Sequence, residues 1–192
     1  MAESNLKLYE EIGDKIGSTL PLIVLGYVNF ACGDYTTARK FYKRCLKLSQ
    51  ETSFPFSIQN ATKCLSKVAI SLGNLVKAEQ YLFQSLRISK EIGFAREIVN
   101  LLYEYARLHV ARGNPEGAVE LPALVIEHPA SQQYRMMEGR IRGSAKDLLA
   151  ELESELSPEA YTAALERGQE LDLDEVIENL SPRLAMARRN DM

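Results

Sequence analysis

The sequence predicts an all-α fold, a superhelix of stacked antiparallel helix pairs with about eight to nine helices in all. Gly followed by Asp or Asn recurs at Gly33-Asp34, Gly73-Asn74 and Gly113-Asn114, a step of 40 residues both times. Small residues keep the same step: Ala38, Ala78 and Ala118 in one register, Gly26, Ser66 and Ala106 in another. Leu, Ala, Glu, Lys and Arg are plentiful and tryptophan is absent, a composition that favours helix over sheet.

Residues 5–14 (NLKLYEEIGD) align with the end of a later second helix, so 1–16 reads as the remnant of a preceding unit or as an N-terminal cap. Opening in mid-unit favours a piece of a longer protein. Three units then fill 17–128. Their first helices are expected at 18–32, 57–72 and 97–112, with apolar residues such as Leu22, Leu25 and Val28 at helical spacing. Glycine stops each one, because it accepts the left-handed conformation of a helix end. Second helices are expected at 35–52, 75–92 and 115–127. The small residues at both registers allow the two helices of a pair to approach closely.

A closing segment of capping helices occupies 129–182. Glu127-His128-Pro129-Ala130-Ser131 breaks the last second helix, and Tyr134 to Leu156 forms a long amphipathic one. Ser157-Pro158-Glu159 starts the next, with serine as N-cap, proline in the first turn and an acid at the positive end of the dipole. That helix is expected to end at Gly168, and a short one over 173–180 starts behind Asp172. Residues 183–192 are expected to be a disordered tail.

The spacing of these residues resembles the tetratricopeptide repeat. That family places an apolar and then a small residue in its first helix, the small one twelve residues before an alanine in the second. Leu25-Gly26 with Ala38, Leu65-Ser66 with Ala78, and Tyr105-Ala106 with Ala118 fit the pattern. Four residues after the alanine stand Tyr42 and Leu82, but Pro122 in the third unit. The 40-residue period is longer than usual for the family, and the proline that closes its second helix is missing from these units. The resemblance implies a right-handed α–α superhelix that binds proteins. Residues 113–180 further resemble the C-terminal end of large bacterial STAND and LuxR-type transcriptional regulators, which implies a sensor or scaffold region of a cytoplasmic signalling protein.

No chemistry-bearing motif stands out. There is no GxxxxGK[ST], GxSxG or HExxH pattern, so no enzymatic activity and no cofactor are expected. Cys32, Cys45 and Cys64 form no CxxC pair and read as reduced core thiols. His109 reads as a core or near-core residue, and His128 as a favourable charge at a helix end. The basic run Arg135, Arg140, Arg142 and Lys146 reads as a solvated face. A net charge of −3 gives no general attraction to nucleic acid or anionic membrane. The charge is uneven: 13 Lys+Arg against 9 Asp+Glu over 1–100, and 10 against 17 over 101–192. The longest apolar stretch, Leu20 to Ala31, is too short to span a bilayer.

In repeats of this family the first helices line the concave groove. The candidate partner-binding residues are therefore Tyr27 and Phe30, then Asn60, Lys63 and Lys67, then Asn100, Tyr103 and Arg107. Leu20, Ile23, Ile70 and Val110 complete the same rows. A wall of aromatics, cations and asparagines suits a protein or peptide partner carrying an acidic group. The alternative is a structural module in which the same aromatics meet a homodimer partner.

Overall fold

The structure, a computed structural model, describes residues 1–127 and 135–180, with side chains described outside 135–142. The break at 128–131, the side chains of Arg135, Arg140 and Arg142, and the tail 183–192 lie outside the described residues. The described residues form ten helices, rather than eight or nine, and no strand. They are α1 (Ala2–Glu11), α2 (Thr19–Ala31), α3 (Tyr35–Glu51), α4 (Pro55–Ser71), α5 (Leu75–Glu91), α6 (Ala95–Ala111), α7 (Pro115–Glu127), α8 (Arg135–Glu155), α9 (Pro158–Glu170) and α10 (Leu173–Leu180).

One local device ends five of the first six helices and marks the turn after α1. The backbone turns left-handed at Gly13, Gly33, Ser53, Gly73, Gly93 and Gly113, with φ between 50° and 81°. These positions lie 20 residues apart, half the repeat. At Gly33 the amide donates to Phe30 O, and the next amide, Asp34 N, reaches back to Asn29 O. The same pair of bonds recurs after Gly73 and Gly113 and around Ser53. This closes the orphan carbonyls of the helix end. A Cβ built on any of the five glycines meets nothing within 4 Å, so glycine is needed there for its backbone and not for space.

The residue after each turn decides how the next helix opens. Asp34, Asn74 and Asn114 accept from the backbone N–H three residues on: Thr37 at 2.9 Å, Lys77 at 3.2 Å and Gly117 at 3.1 Å. These caps open α3, α5 and α7. The turns into α4 and α6 end in Phe54 and Phe94 instead, and neither helix has a side-chain cap.

The chain forms two compact units, Met1–Gly93 and Phe94–Met192. In the first, α2 packs on α3, α3 on α4 and α4 on α5, with α1 against α2. Leu6, Leu22, Cys45 and Ala61 form one buried cluster, and Ala38, Tyr42, Leu65 and Val68 form another. Gly26 shows why the small register exists: a Cβ there would lie 2.3–2.8 Å from the Tyr42 ring. Ser66, Ala106, Ala38, Ala78 and Ala118 are likewise fully buried. One buried polar pair bridges α4 and α5 in this interior. Gln59 Nε2 donates to Ser85 Oγ, which donates back to the Gln59 carbonyl.

In the second unit α6 pairs with α7, and α7 is the hub: both α8 and α9 pack on it, while α9 touches α8 little. Pro122 sits buried inside α7, where the earlier second helices carry Tyr42 and Leu82. Lacking an N–H, it leaves the Ala118 carbonyl without its helical donor. The expectation that Gly168 stops its helix is corrected. Helix α9 runs on to Glu170, and Gly168 lies buried within it, where a Cβ would come 2.4 Å from the Glu120 carbonyl and 2.7 Å from Ala123 Cβ. Glycine here serves close approach of α9 to α7. Arg167 beside it bridges Glu120 at 2.7 Å and Glu116 at 3.0 Å.

The reading of the three cysteines as core thiols is also corrected: only Cys45 is buried, while Cys32 is exposed at the end of α2 and Cys64 is half-buried. Val28, at the helical spacing of Leu22 and Leu25, is 52% exposed. His109 is half-buried, a near-core position, and its Nδ1 lies 3.1 Å from Asn114 Nδ2 at the turn.

Candidate partner-binding face

Within the first unit, α2 and α4 each carry one row of the expected residues. Helix α2 has no charged residue from Thr19 to Ala31. Leu20, Val24, Tyr27 and Val28 nevertheless stand 41–67% exposed along it. Residues four apart lie above one another on a helix, so Leu20, Val24 and Val28 make a continuous apolar stripe. Phe30 is different. It packs on the buried cluster of Tyr42 and Val68, its ring 5.2 Å from that of Tyr35. Ile23 likewise packs against both clusters, so the aromatic surface of this row is Tyr27.

On α4, Asn60, Lys63 and Lys67 are half-buried. The Cys64 thiol lies 3.8 Å from Asn60 Oδ1 and donates to it. Tyr42, buried below, has its hydroxyl raised well above the ordinary phenol range by burial first, and then by Cys64 and Tyr27 beside it. Asn60 and Cys64 are thus joined on α4, and Tyr42 of α3 is buried next to Cys64. Burial also pushes the Cys45 thiol up to about 11, which keeps it protonated and inert as a nucleophile.

In the second unit, Asn100, Tyr103 and Arg107 lie half-buried on α6. Asn100 Nδ2 donates to Glu97 Oε2 at 3.1 Å, and Arg107 Nη1 to Glu104 Oε2 at 3.1 Å. Both acids are buried, 4% and 3% exposed. A buried carboxylate needs hydrogen bonds and opposite charge, so this cation and this amide are already committed within their own helix. Sequence spacing places them on that row but cannot reveal this commitment.

Among the described residues no group of His, Cys, Asp or Glu could hold a metal ion, and no helix is long and apolar enough to cross a membrane. Comparison with curated proteins returned no match. Residues 22–52, which cover α3 and most of α2, match the family model of the tetratricopeptide repeat. That match, with the succession of helix pairs around it, supports a tetratricopeptide-repeat protein, an architecture of protein–protein interaction modules.

Proposed function

We propose that the first unit binds a protein or peptide partner on the face shared by α2 and α4, and that the chain works as a non-enzymatic interaction module. The observation that carries this is the surface around Tyr27. An aromatic ring 56% exposed stands beside an apolar stripe on one side and the Asn60–Lys63–Lys67 row on the other. Such a surface offers an anchor for an apolar side chain, an amide for a peptide backbone, and cations for an acidic group. Asn60 Nδ2 carries no hydrogen bond among the described residues, so a backbone carbonyl is the partner it suits. The resemblance of 113–180 to the ends of large bacterial regulators supports a role within a cytoplasmic signalling or transcription regulator, where an occupied face biases a distant output domain.

A second reading is favoured by one feature, the uncharged α2 stripe. Leu20, Val24 and Val28 at four-residue spacing are self-complementary, and pairing two copies of α2 would bring no like charges together. The test is a peptide-display selection on the whole chain, combined with light scattering. Selected peptides should bind a monomer and lose at least about tenfold in affinity on Tyr27→Ala, the loss of a buried aromatic anchor. A dimer that Val24→Glu with Val28→Glu splits, and that yields no peptides, would overturn peptide binding in favour of self-assembly.

A further inference from the structure

On the opposite side of α4 from Asn60, Lys63 and Lys67, about half a turn round the helix, α3 and α5 flank an open cleft of about 510 Å3. Such a volume holds one or two side chains or a small ligand. Arg39 and Lys43 reach it from α3, Lys77 and Tyr81 from α5, and Leu72 with Ala69 forms the accessible part of its floor. No acidic side chain lines it. None of the three cations has a carboxylate partner among the described residues. By contrast Lys15 pairs with Glu51, Arg44 with Glu10 and Arg87 with Glu91 in the same unit. Arg39 and Tyr81 both line the cleft, and burial raises the Tyr81 hydroxyl while the Arg39 charge opposes that rise.

Repeat geometry alone does not explain the charge. The positions one repeat on from Thr36, Arg39 and Lys43 are Val76, Glu79 and Phe83, with no cation among them. The cationic cleft is therefore a feature of this one pair of second helices, written in side chains the fold does not require.

We infer that this cleft is a second binding site, separate from the Tyr27 face, for a short acidic peptide segment that seats an apolar side chain between carboxylates. Leu72 is 44% exposed and, with Ala69 and the Tyr81 ring, gives the apolar side chain its floor. Arg39 and Lys43 on one wall and Lys77 on the other take the flanking carboxylates, charge-assisted bonds being stronger than neutral ones. A bare inorganic anion uses only half of this surface, the cations without the floor.

The test is fluorescence anisotropy on the whole chain with a fluorescein-labelled Glu-Leu-Glu-Leu-Glu peptide. Comparison probes are Glu-Ser-Glu-Ser-Glu, Lys-Leu-Lys-Leu-Lys, and sodium phosphate as competitor. Arg39→Ala with Lys77→Ala should weaken binding by at least about tenfold, the loss of one to two charge-assisted bonds. Lys47→Ala with Lys90→Ala, which removes the same charge elsewhere on these two helices, should leave it unchanged. Circular dichroism melts check that both variants fold. Equal losses in the two variants would reduce the effect to net charge and overturn the site. Binding of the serine peptide as tight as the leucine one, or full displacement by phosphate at matched charge, would remove the apolar floor from it. Failure of the Glu-Leu peptide to bind at all would end the proposal while leaving the Tyr27 face untouched.

Discussion

Ser53 holds a φ of 50° at a place in the 20-residue rhythm where the five other left-handed turns carry glycine. A side chain in that conformation strains the backbone by about 1 kcal/mol. Ser53 is also exposed. Ser53→Gly should therefore raise stability by about 0.5–1 kcal/mol, read as a higher urea midpoint with unchanged slope; a lower midpoint would mean the hydroxyl does something the geometry misses. The serine also hid the half-period. The 40-residue step was legible from Gly33, Gly73 and Gly113, but a turn spelled Thr52-Ser53-Phe54-Pro55 gives no glycine signal. Gly26 was legible as a small residue, while its reason, the Tyr42 ring against it, needed three dimensions. The second unit of the repeat uses Ser66 with Leu82 at the same two positions. Gly26→Ser alone should cost about 1–3 kcal/mol by overpacking. With Tyr42→Leu added, the double variant should lose less than the sum of the two single changes, and strict additivity in that cycle would separate the two positions.

The helices themselves were readable to within a residue or two at most ends, because caps and turns are local chemistry. Asp34, Asn74 and Asn114 follow the glycine stops, and their side chains cap the second helix of each pair by accepting from the backbone N–H three residues on. Asn74→Ala should cost about 1 kcal/mol, measured by urea unfolding. At Asp34 the sign with pH comes from the hydrogen bonds of Thr37, which hold its carboxyl below its ordinary 3.8. A lowered folded value means the contribution is present above the unfolded value and lost as pH falls through the folded one. Glu51 behaves alike, held down by the Lys15 hydrogen bond. Asp34→Asn with Glu51→Gln should thus flatten the fall in urea midpoint as pH drops below about 4. The element that misled was α9. Gly168 carries the look of a helix stop, and only the backbone of α7 lying 2.4 Å from its absent Cβ shows its use. Gly168→Ala should cost about 1–3 kcal/mol, since the atom in the way is backbone and cannot rotate aside.

For the molecule as a whole, sequence spacing could place a row on each first helix. It could not separate an exposed residue from one already engaged. Tyr27 stands open, whereas Phe30 packs on the core and Arg107 serves the buried Glu104. The cationic cleft went unread because its members come from three helices and share no motif. Stacked helix pairs also localise damage, since each contacts mainly its neighbours. A Gly26→Ala lesion should therefore speed amide exchange across residues 1–93 while residues 94–127 and 135–180 keep their protection, followed by mass spectrometry. Uniform loss across both ranges would make the chain one cooperative body.

The recurring left-handed turn, open on its outer side at every glycine, has a consequence for how such a chain can change length. A segment such as Tyr35–Asn74 begins and ends on equivalent joints, so a tandem copy of it would present its neighbours with faces they already match. Growth by duplication then alters the number of steps in the ladder without redesigning any rung, and the specificity of each rung stays free to diverge, as Arg39 and Glu79 already have.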